Sequence, residues 1–185
     1  SARTAGVQLS AVDATIPDYL SHRPVIDVNG AASGQLQAML NYVNNTPVGG
    51  WIDNFTDEAR GSGNARLSLK MQIPLSDAAQ VVVQGGLRFQ GNEIQLWRSM
   101  PSVQNVMGEI AFSERGFQLN SLQGGLLGGP VLLSGGTQKD GTTQVKAEGS
   151  VSVEGVTRGF NSSAMRRLSK KMSGSTRYSA LVRAR

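Results

Sequence analysis

Few side chains in this sequence are suited to acid–base or nucleophilic chemistry. The chain has no cysteine, which excludes disulfides, Cys-based zinc sites and a cysteine nucleophile. Its single histidine, His22, lies in a polar loop and has no partner at a defined spacing, which favours a surface position. We therefore expect no catalytic site, and the sequence argues against an enzyme.

The acidic residues do not follow the spacing of a metal-binding loop. Those considered as ligands are Asp13, Asp18, Asp27, Asp53, Asp57 and Glu58. The glycine-rich run 124–130 lacks the Lys-Ser/Thr pair that follows a phosphate-binding loop, so a bulge or tight bend between strands is expected there. Neither a metal nor a cofactor is expected.

The net charge of +5 is concentrated near the C-terminus. From Arg158 onward there are eight basic side chains and no acidic one, whereas the preceding residues hold ten basic and 13 acidic side chains. The first 157 residues thus carry a net charge of −3, which argues against a nucleic-acid-binding surface. The sequence has no apolar run of about 18 residues and no signal peptide, as expected for a cytosolic protein or a piece of a longer chain.

The elements that position these residues are mainly β-strands. Residues 66–73 alternate strictly, with Leu67, Leu69, Met71 and Ile73 on one side, which predicts a strand with one wet face. The same alternation recurs at Val81/Val83, Leu87/Phe89, Ile94/Leu96, Ile110/Phe112, Phe117/Leu119, Val145/Ala147 and Val151/Val153. Polar clusters at 90–93, 113–116 and 139–141 separate these stretches, which predicts antiparallel hairpins in a meander.

One pattern repeats at an offset of 23 residues. Gly85-x-Leu87-x-Phe89 is followed after four residues by Ile94-x-Leu96, and the pattern returns with the same spacing. The second copy comprises Gly108, Ile110, Phe112, Phe117 and Leu119, and a partial third begins at Gly149. Each copy is predicted to form one hairpin.

Helical spacing interrupts the strand pattern near residues 33–60. Apolar residues at i, i+3, i+4 and i+7 predict a helix over 33–46 with Ser33 as N-cap, and a shorter helix is predicted over 50–60, closed by Gly61. A third helix is predicted over 160–172. Its basic residues could contact an anionic membrane surface, or they could belong to a solvated connecting helix; they are Arg166, Arg167, Lys170 and Lys171.

Strands with one continuous aliphatic face must bury that face. A sandwich or barrel would use it as a core, whereas a curved open sheet would form an apolar groove suited to acyl chains. The alternation alone leaves both possibilities open.

The order of several short motifs resembles the YhdP branch of the AsmA-like family. A Met100-Pro101 pair is followed by Val106, Gly108, Ile110 and Phe112, which have the spacing of the pattern V-x-G-x-I-x-F. The resemblance extends to other segments of the chain, namely Asn29-Gly30, Asn45 to Val48, Leu67 to Leu75, Leu127 to Val131 and Ser173 to Tyr178.

This resemblance implies a long protein, anchored in the inner membrane of a Gram-negative bacterium, that extends through the periplasm and carries phospholipid toward the outer membrane. The chain would be an interior segment of it, with neighbouring segments and phospholipid as partners. The implied fold is mainly β with a helical insert (β+α): an antiparallel meander of hairpins forming a curved, groove-like sheet, with a helical hairpin near 33–60. Two parts are expected, a β-rich segment over 1–157 and a basic helix or linker over 158–185 that leads into a truncated β unit.

The family offers no catalytic residues, so the concave apolar face is the expected working surface. The expected lipid-binding residues are Leu67, Leu69, Met71, Leu87, Phe89, Ile94, Leu96, Ile110, Phe112, Phe117 and Leu119. Two alternatives stay open: some of these residues form ordinary core under the helical insert, and the whole segment is a structural or protein-interaction module with a closed core.

Overall fold

Most of the chain forms β-strands, as the alternation of apolar and polar residues predicts. The structure is a computed structural model, and it describes residues 2–4, 7–18, 20, 23–45, 56–77, 80–160 and 173–184. The strands are β1 (Ala2–Thr4), β2 (Val7–Thr15), β3 (Val25–Gln35), β4 (Arg60–Ser62), β5 (Asn64–Pro74), β6 (Val82–Gln95), β7 (Val103–Ser113), β8 (Gly116–Leu126), β9 (Gly129–Thr137), β10 (Thr143–Ser152) and β11 (Ser175–Ala184). The helices are α1 (Leu36–Asn44) and α2 (Val153–Gly159).

The strands form one antiparallel sheet in nearly sequential order. Its order is β1-β2-β3-β5-β6-β7-β8-β9-β10-β11, and the short β4 pairs with the far end of β6. The predicted antiparallel meander is therefore confirmed. Strand β11 pairs with β10 over ten consecutive residues, so the described part of the C-terminal segment continues the sheet.

The connections divide the sheet into two ends. Helices α1 and α2 both follow strands that finish at the same end, which we call the helix end. The opposite, turn end carries the connections between β2 and β3, β5 and β6, β7 and β8, and β9 and β10.

Strand β5 confirms the predicted one-sided strand most clearly. Along it Leu67, Leu69, Met71 and Ile73 are half-buried, whereas Ser68 and the other residues between them are exposed. The period of two places these two sets on opposite faces of the sheet. The sheet therefore has an apolar face and a polar face.

Four β-bulges interrupt the ladders. Each inserts one extra residue with a positive φ, namely Ala11, Gly91, Asn105 and Ser121. A bulge bends its own strand and increases the local twist. Only Gly91 is a glycine, and the other three adopt a conformation that costs an L-residue about 1–2 kcal/mol.

The first copy of the repeat does not form the predicted hairpin. Residues 90–93 were predicted to be a turn, but they lie inside the long strand β6, where Gly91 forms a bulge. The side chain of Asn92 turns inward and is fully buried. The second copy does form a hairpin, because β7 and β8 are joined by the two-residue turn Glu114–Arg115.

Asn92 explains why these two similar sequences fold differently. Its Nδ2 donates to the carbonyl oxygens of Ser62 (2.9 Å) and Asn64 (3.1 Å), on either side of the break between β4 and β5. Its Oδ1 accepts from the Gln90 N–H at 2.8 Å. The amide thus satisfies three backbone groups where two strands depart from regular pairing, and β6 continues instead of turning.

Helix α1 confirms the first predicted helix, but it begins later than expected. Ser33 is not its N-cap, because β3 continues through Gln35 and Ser33 pairs with Arg66 of β5. The Leu36 N–H instead donates to the Gly63 carbonyl at 2.9 Å. The tertiary backbone contact replaces a side-chain cap at this helix start.

The second predicted helix, over 50–60, lies partly outside the described residues. Its described end is a turn at 56–58 followed by β4, so Arg60 and Gly61 belong to a strand rather than a helix. Gly61 cannot serve as the predicted helix stop. Instead it lies directly beneath the Leu36 side chain, where a Cβ would clash.

Helix α2 was not predicted, and Val153 begins it rather than ending a strand. Ser152 is its N-cap and accepts from the Gly155 N–H at 3.0 Å, and Glu154 lies in the first turn. These are ordinary helix-start signals. Of the predicted helix over 160–172, only Phe160, the C-cap of α2, is described.

The glycine-rich run 124–130 forms the tight bend predicted for it. Leu127 and Gly128, with φ of 51° and 79°, make the two-residue connection between β8 and β9. Positive φ at both central residues is typical of the hairpin turn that suits twisted strands.

Candidate functional site

The residues considered for polar chemistry do not form a site in the described part of the chain. No group of three or more His, Asp and Glu side chains there could hold a metal ion. His22 and Asp53 lie outside the described residues, whereas Asp57 and Glu58 are exposed in a turn.

The largest regular feature is a row of apolar and glycine residues that crosses nine strands on one face. Each member is the cross-strand partner of the next, so all share the apolar face. In order from β2 to β11 they are Leu9, Ala32, Leu67, Leu87, Ile110, Leu119, Gly135, Val145 and Val182.

A second, parallel row lies nearer the turn end. It runs through Gly30, Leu69, Gly85, Phe112 and Phe117. The Phe112 ring lies over Gly85, where an added Cβ would clash with the ring atoms. The missing side chain of Gly85 therefore makes room for the aromatic ring of its cross-strand partner.

All the expected lipid-binding residues except Leu96 lie in strands of this face, and the register brings them together. Leu96 follows the last residue of β6. Phe89 is buried in the core with Leu36 and Met39 of α1. Others are half-buried against that core, namely Leu67, Leu87, Ile94, Ile110 and Leu119. Those half-buried outside it are Leu69, Met71, Phe112 and Phe117.

Helix α1 covers the helix-end part of the apolar face. Leu36, 1% exposed, packs on Gly61, and Met39 joins the same cluster. Hydrogen bonds fix the helix: Gln37 Oε1 accepts from the Gly61 N–H at 3.0 Å, and Asn44 Nδ2 donates to the Thr56 carbonyl at 2.9 Å. The alternative that some nominated residues are core under a helix is supported for Phe89.

Sequence reasoning missed several buried residues of this face. Val106 and Leu122 belong to the core. Leu122 directly follows the bulge at Ser121, which reverses the local alternation, so a strict period of two counted from Leu119 assigns it to the wrong side. Val106 keeps the period of Gly108 and Ile110, so alternation was the signal available for it. Val131 is buried as well, and the predicted bend in the glycine-rich run was the signal available for it.

Tyr178 is a polar group on the apolar face near the helix end. It pairs with Gly149 across β10, and its hydroxyl is buried with no hydrogen-bond partner among the described residues. Burial raises the pKa of this phenol above its usual value of 10.0.

The polar face has a different character. Small residues cross it in a row, including Ala31, Ser68 and Gly86, and the row forms the floor of an open depression of about 430 Å³. Lys70 and Glu109 stand at its sides. Glu109 forms an ion pair with Arg88, with an N–O distance of 3.3 Å. Neither side chain is fully buried, so the depression is open to water.

The basic residues expected to contact a membrane lie outside the described residues; they are Arg166, Arg167, Lys170 and Lys171. Among the helices that the structure does describe, none has the length and apolar character needed to cross a bilayer.

Comparisons with known proteins gave one match. A family model described as "YhdP protein" matches residues 1–185, the whole chain. Searches of curated proteins and of solved structures found no significant match.

Proposed function

The chain belongs to the YhdP family, and from that premise we propose that it is a non-enzymatic part of an AsmA-like envelope protein whose apolar face shields the acyl chains of phospholipids. The family is not a known family of enzymes. The proposed setting is the periplasm, within a protein anchored in the inner membrane that moves phospholipid toward the outer membrane.

The observation that carries the proposal is the continuous apolar row across nine strands. Its central members, Leu67, Leu87 and Ile110, are only half-buried, although a closed sandwich or barrel would bury them fully. Among the described residues, α1 packs on the helix-end part of this face, whereas Leu69, Met71, Phe112 and Phe117 are half-buried outside that core. An apolar surface of this extent is unusual on a soluble domain unless it binds something.

Burial on this face could supply useful affinity. Each buried methylene contributes about 0.8 kcal/mol, so ten methylenes contribute about 8 kcal/mol before the costs of ordering the chain. The headgroup needs no buried partner, because it stays in water at the border of the sheet. The bulges favour a curved sheet, which would raise the contact area per acyl chain.

The test is lipid uptake by the purified chain. Native mass spectrometry and extraction are expected to recover phospholipid, and the stripped protein is expected to take up a fluorescent fatty acid. The variant Leu69→Gln/Met71→Gln should lower uptake severalfold, because both side chains lie on the open part of the apolar face outside the core.

A matched control makes the same chemical change on the other face. Leu132 and Met107 lie on the polar face and are 42% and 52% exposed. The variant Leu132→Gln/Met107→Gln should therefore leave uptake unchanged. A protein that stays free of lipid and takes up no fatty acid, or a control as defective as the test variant, would overturn the proposal.

A structural or protein-interaction role is the second candidate, and it is favoured by the edge of β11, which has no pairing strand among the described residues. This strand pairs regularly with β10 over ten residues, and Leu181 and Val182 are exposed. A long regular edge strand can accept another strand, so a neighbouring segment of the same protein is the proposed partner there. Normal lipid uptake by a chain with Leu181→Lys would show that the edge and the apolar face act independently.

A further inference from the structure

Burial on the apolar face is uneven between the two ends of the strands. Of the ten buried apolar residues in the described part of the chain, nine lie toward the helix end and only Val83 lies toward the turn end. Helix α1 covers the face on the helix-end side, and α2 packs on the β8–β9 turn, where a Cβ on Gly155 would clash with the Leu127 carbonyl. The helix end is therefore the closed side of the apolar face.

The turn end carries charges of both signs. Its connections contain four acidic and three basic described side chains, which together we call the turn rim: Asp18, Arg23, Asp77, Glu114, Arg115, Lys139 and Asp140. In one connection the opposite charges touch, because Arg115 Nε lies 3.4 Å from a Glu114 carboxylate oxygen. The rim has a net charge of −1, although the whole chain has +5.

From this arrangement we infer that a bound phospholipid lies with its acyl chains toward the helices and its headgroup at the turn rim, and that the rim selects a zwitterionic headgroup over an anionic one. This inference rests on the proposed function. A zwitterionic headgroup presents a phosphate and an ammonium a few ångströms apart, which matches neighbouring basic and acidic side chains. An anionic headgroup meets a rim whose net charge is of its own sign.

The headgroup preference is tested with vesicles of phosphatidylethanolamine or phosphatidylglycerol that have identical acyl chains. The lipid recovered with the repurified chain is expected to be mainly the zwitterionic one. The variant Glu114→Gln/Asp140→Asn changes the rim from −1 to +1 and should shift the ratio toward the anionic lipid, by up to about fivefold per charge, as for exposed ion pairs.

The matched control is Glu109→Gln/Glu148→Gln, which makes the same charge change on the polar face. It should leave the ratio unchanged. If the chain recovers both lipids equally, or if the control shifts the ratio as much as the rim variant, the inference is wrong while the proposed function stands. If it recovers neither lipid, both are wrong.

The orientation is tested separately, because the chain has no cysteine that would interfere with labelling. Ser76 and Ser99 are both exposed, and they lie in connections at the turn end and the helix end respectively. A fluorophore on Ser76→Cys should be quenched by a lipid with a quencher on its headgroup, and one on Ser99→Cys should not. The reverse pattern, or equal quenching, would overturn the orientation.

Discussion

Replacing Asn92 should destabilise the sheet more than replacing any exposed asparagine. The side chain is fully buried and makes three hydrogen bonds to backbone groups, those of Gln90, Ser62 and Asn64. In Asn92→Ala those groups lose their partners at a place that water does not reach. At about 1 kcal/mol for each bond, the expected loss is about 3 kcal/mol of unfolding free energy.

This loss is measurable by thermal and urea unfolding followed by circular dichroism. For a domain of this size, 1 kcal/mol corresponds to about 2–4 °C, so the melting temperature should fall by about 6–12 °C. Asn120→Ala is the matched control, because Asn120 is exposed on the polar face, and its effect should stay within about 0.5 kcal/mol.

A second variant separates the donors of Asn92 from its acceptor. Asn92→Asp keeps an oxygen for the Gln90 N–H but loses the donors to Ser62 and Asn64, and it places a carboxylate against two carbonyl oxygens. It should be at least as destabilising as Asn92→Ala at neutral pH. If Asn92→Ala costs no more than Asn120→Ala, the bulge in β6 does not depend on this amide, and the reasoning is refuted.

Three further predictions follow from single contacts. Gly85→Ala should lower the unfolding free energy measured in urea by about 1–3 kcal/mol, because its Cβ would displace the Phe112 ring. Gly125→Ala is the control and should not destabilise the protein, because its Cβ would make only ordinary contacts. Equal effects of the two variants would contradict this prediction. Hydrogen bonds from the backbone and side chain of Thr142 lower the pKa of Asp140 below 3.8, so its contribution to stability is complete above that pH and is lost as the pH falls through the lowered value. An NMR titration of Asp140 with its midpoint at or above 3.8 would contradict the assignment, and Thr142→Val should raise the midpoint toward 3.8. Tyr178→Phe should raise or preserve the melting temperature, because it removes a buried hydroxyl without a partner among the described residues; a loss of several degrees would show that the hydroxyl is bonded.

The regular strands could be predicted from the sequence because their signal is local. Residues 66–73 alternate without interruption, and β5 has the predicted apolar side. The turn at Glu114–Arg115 was also predicted, since polar residues and Gly116 follow directly after an alternating stretch. Antiparallel order followed from these short connections.

The bulges and helix boundaries could not be predicted, because they depend on contacts between distant residues. The polar cluster around Asn92 looks like a turn in sequence, but the amide is held by carbonyls about 30 positions away. Nothing local marks Ala11 or Ser121 as positions with positive φ. Ser33 looks like an N-cap, yet pairing with β5 keeps it in a strand.

The candidate site was predictable as a set of residues but not as a surface. Alternation identifies Leu69 and Phe112 as apolar-side residues, and the register then places them in one row. Which part of that face α1 covers depends on Leu36 packing on Gly61, a contact between separate segments that periodicity does not encode. The lipid-binding role of these residues stays a prediction.

The most direct test of acyl-chain binding is photo-crosslinking with a phospholipid that has a photoreactive group on its acyl chain. Mass spectrometry of the digested protein should place the cross-links on the open part of the apolar face, at residues such as Leu69, Met71 and Phe112. Cross-links confined to the polar-face depression around Ser68 and Lys70, or no cross-link above the level of a non-lipid probe, would contradict the account.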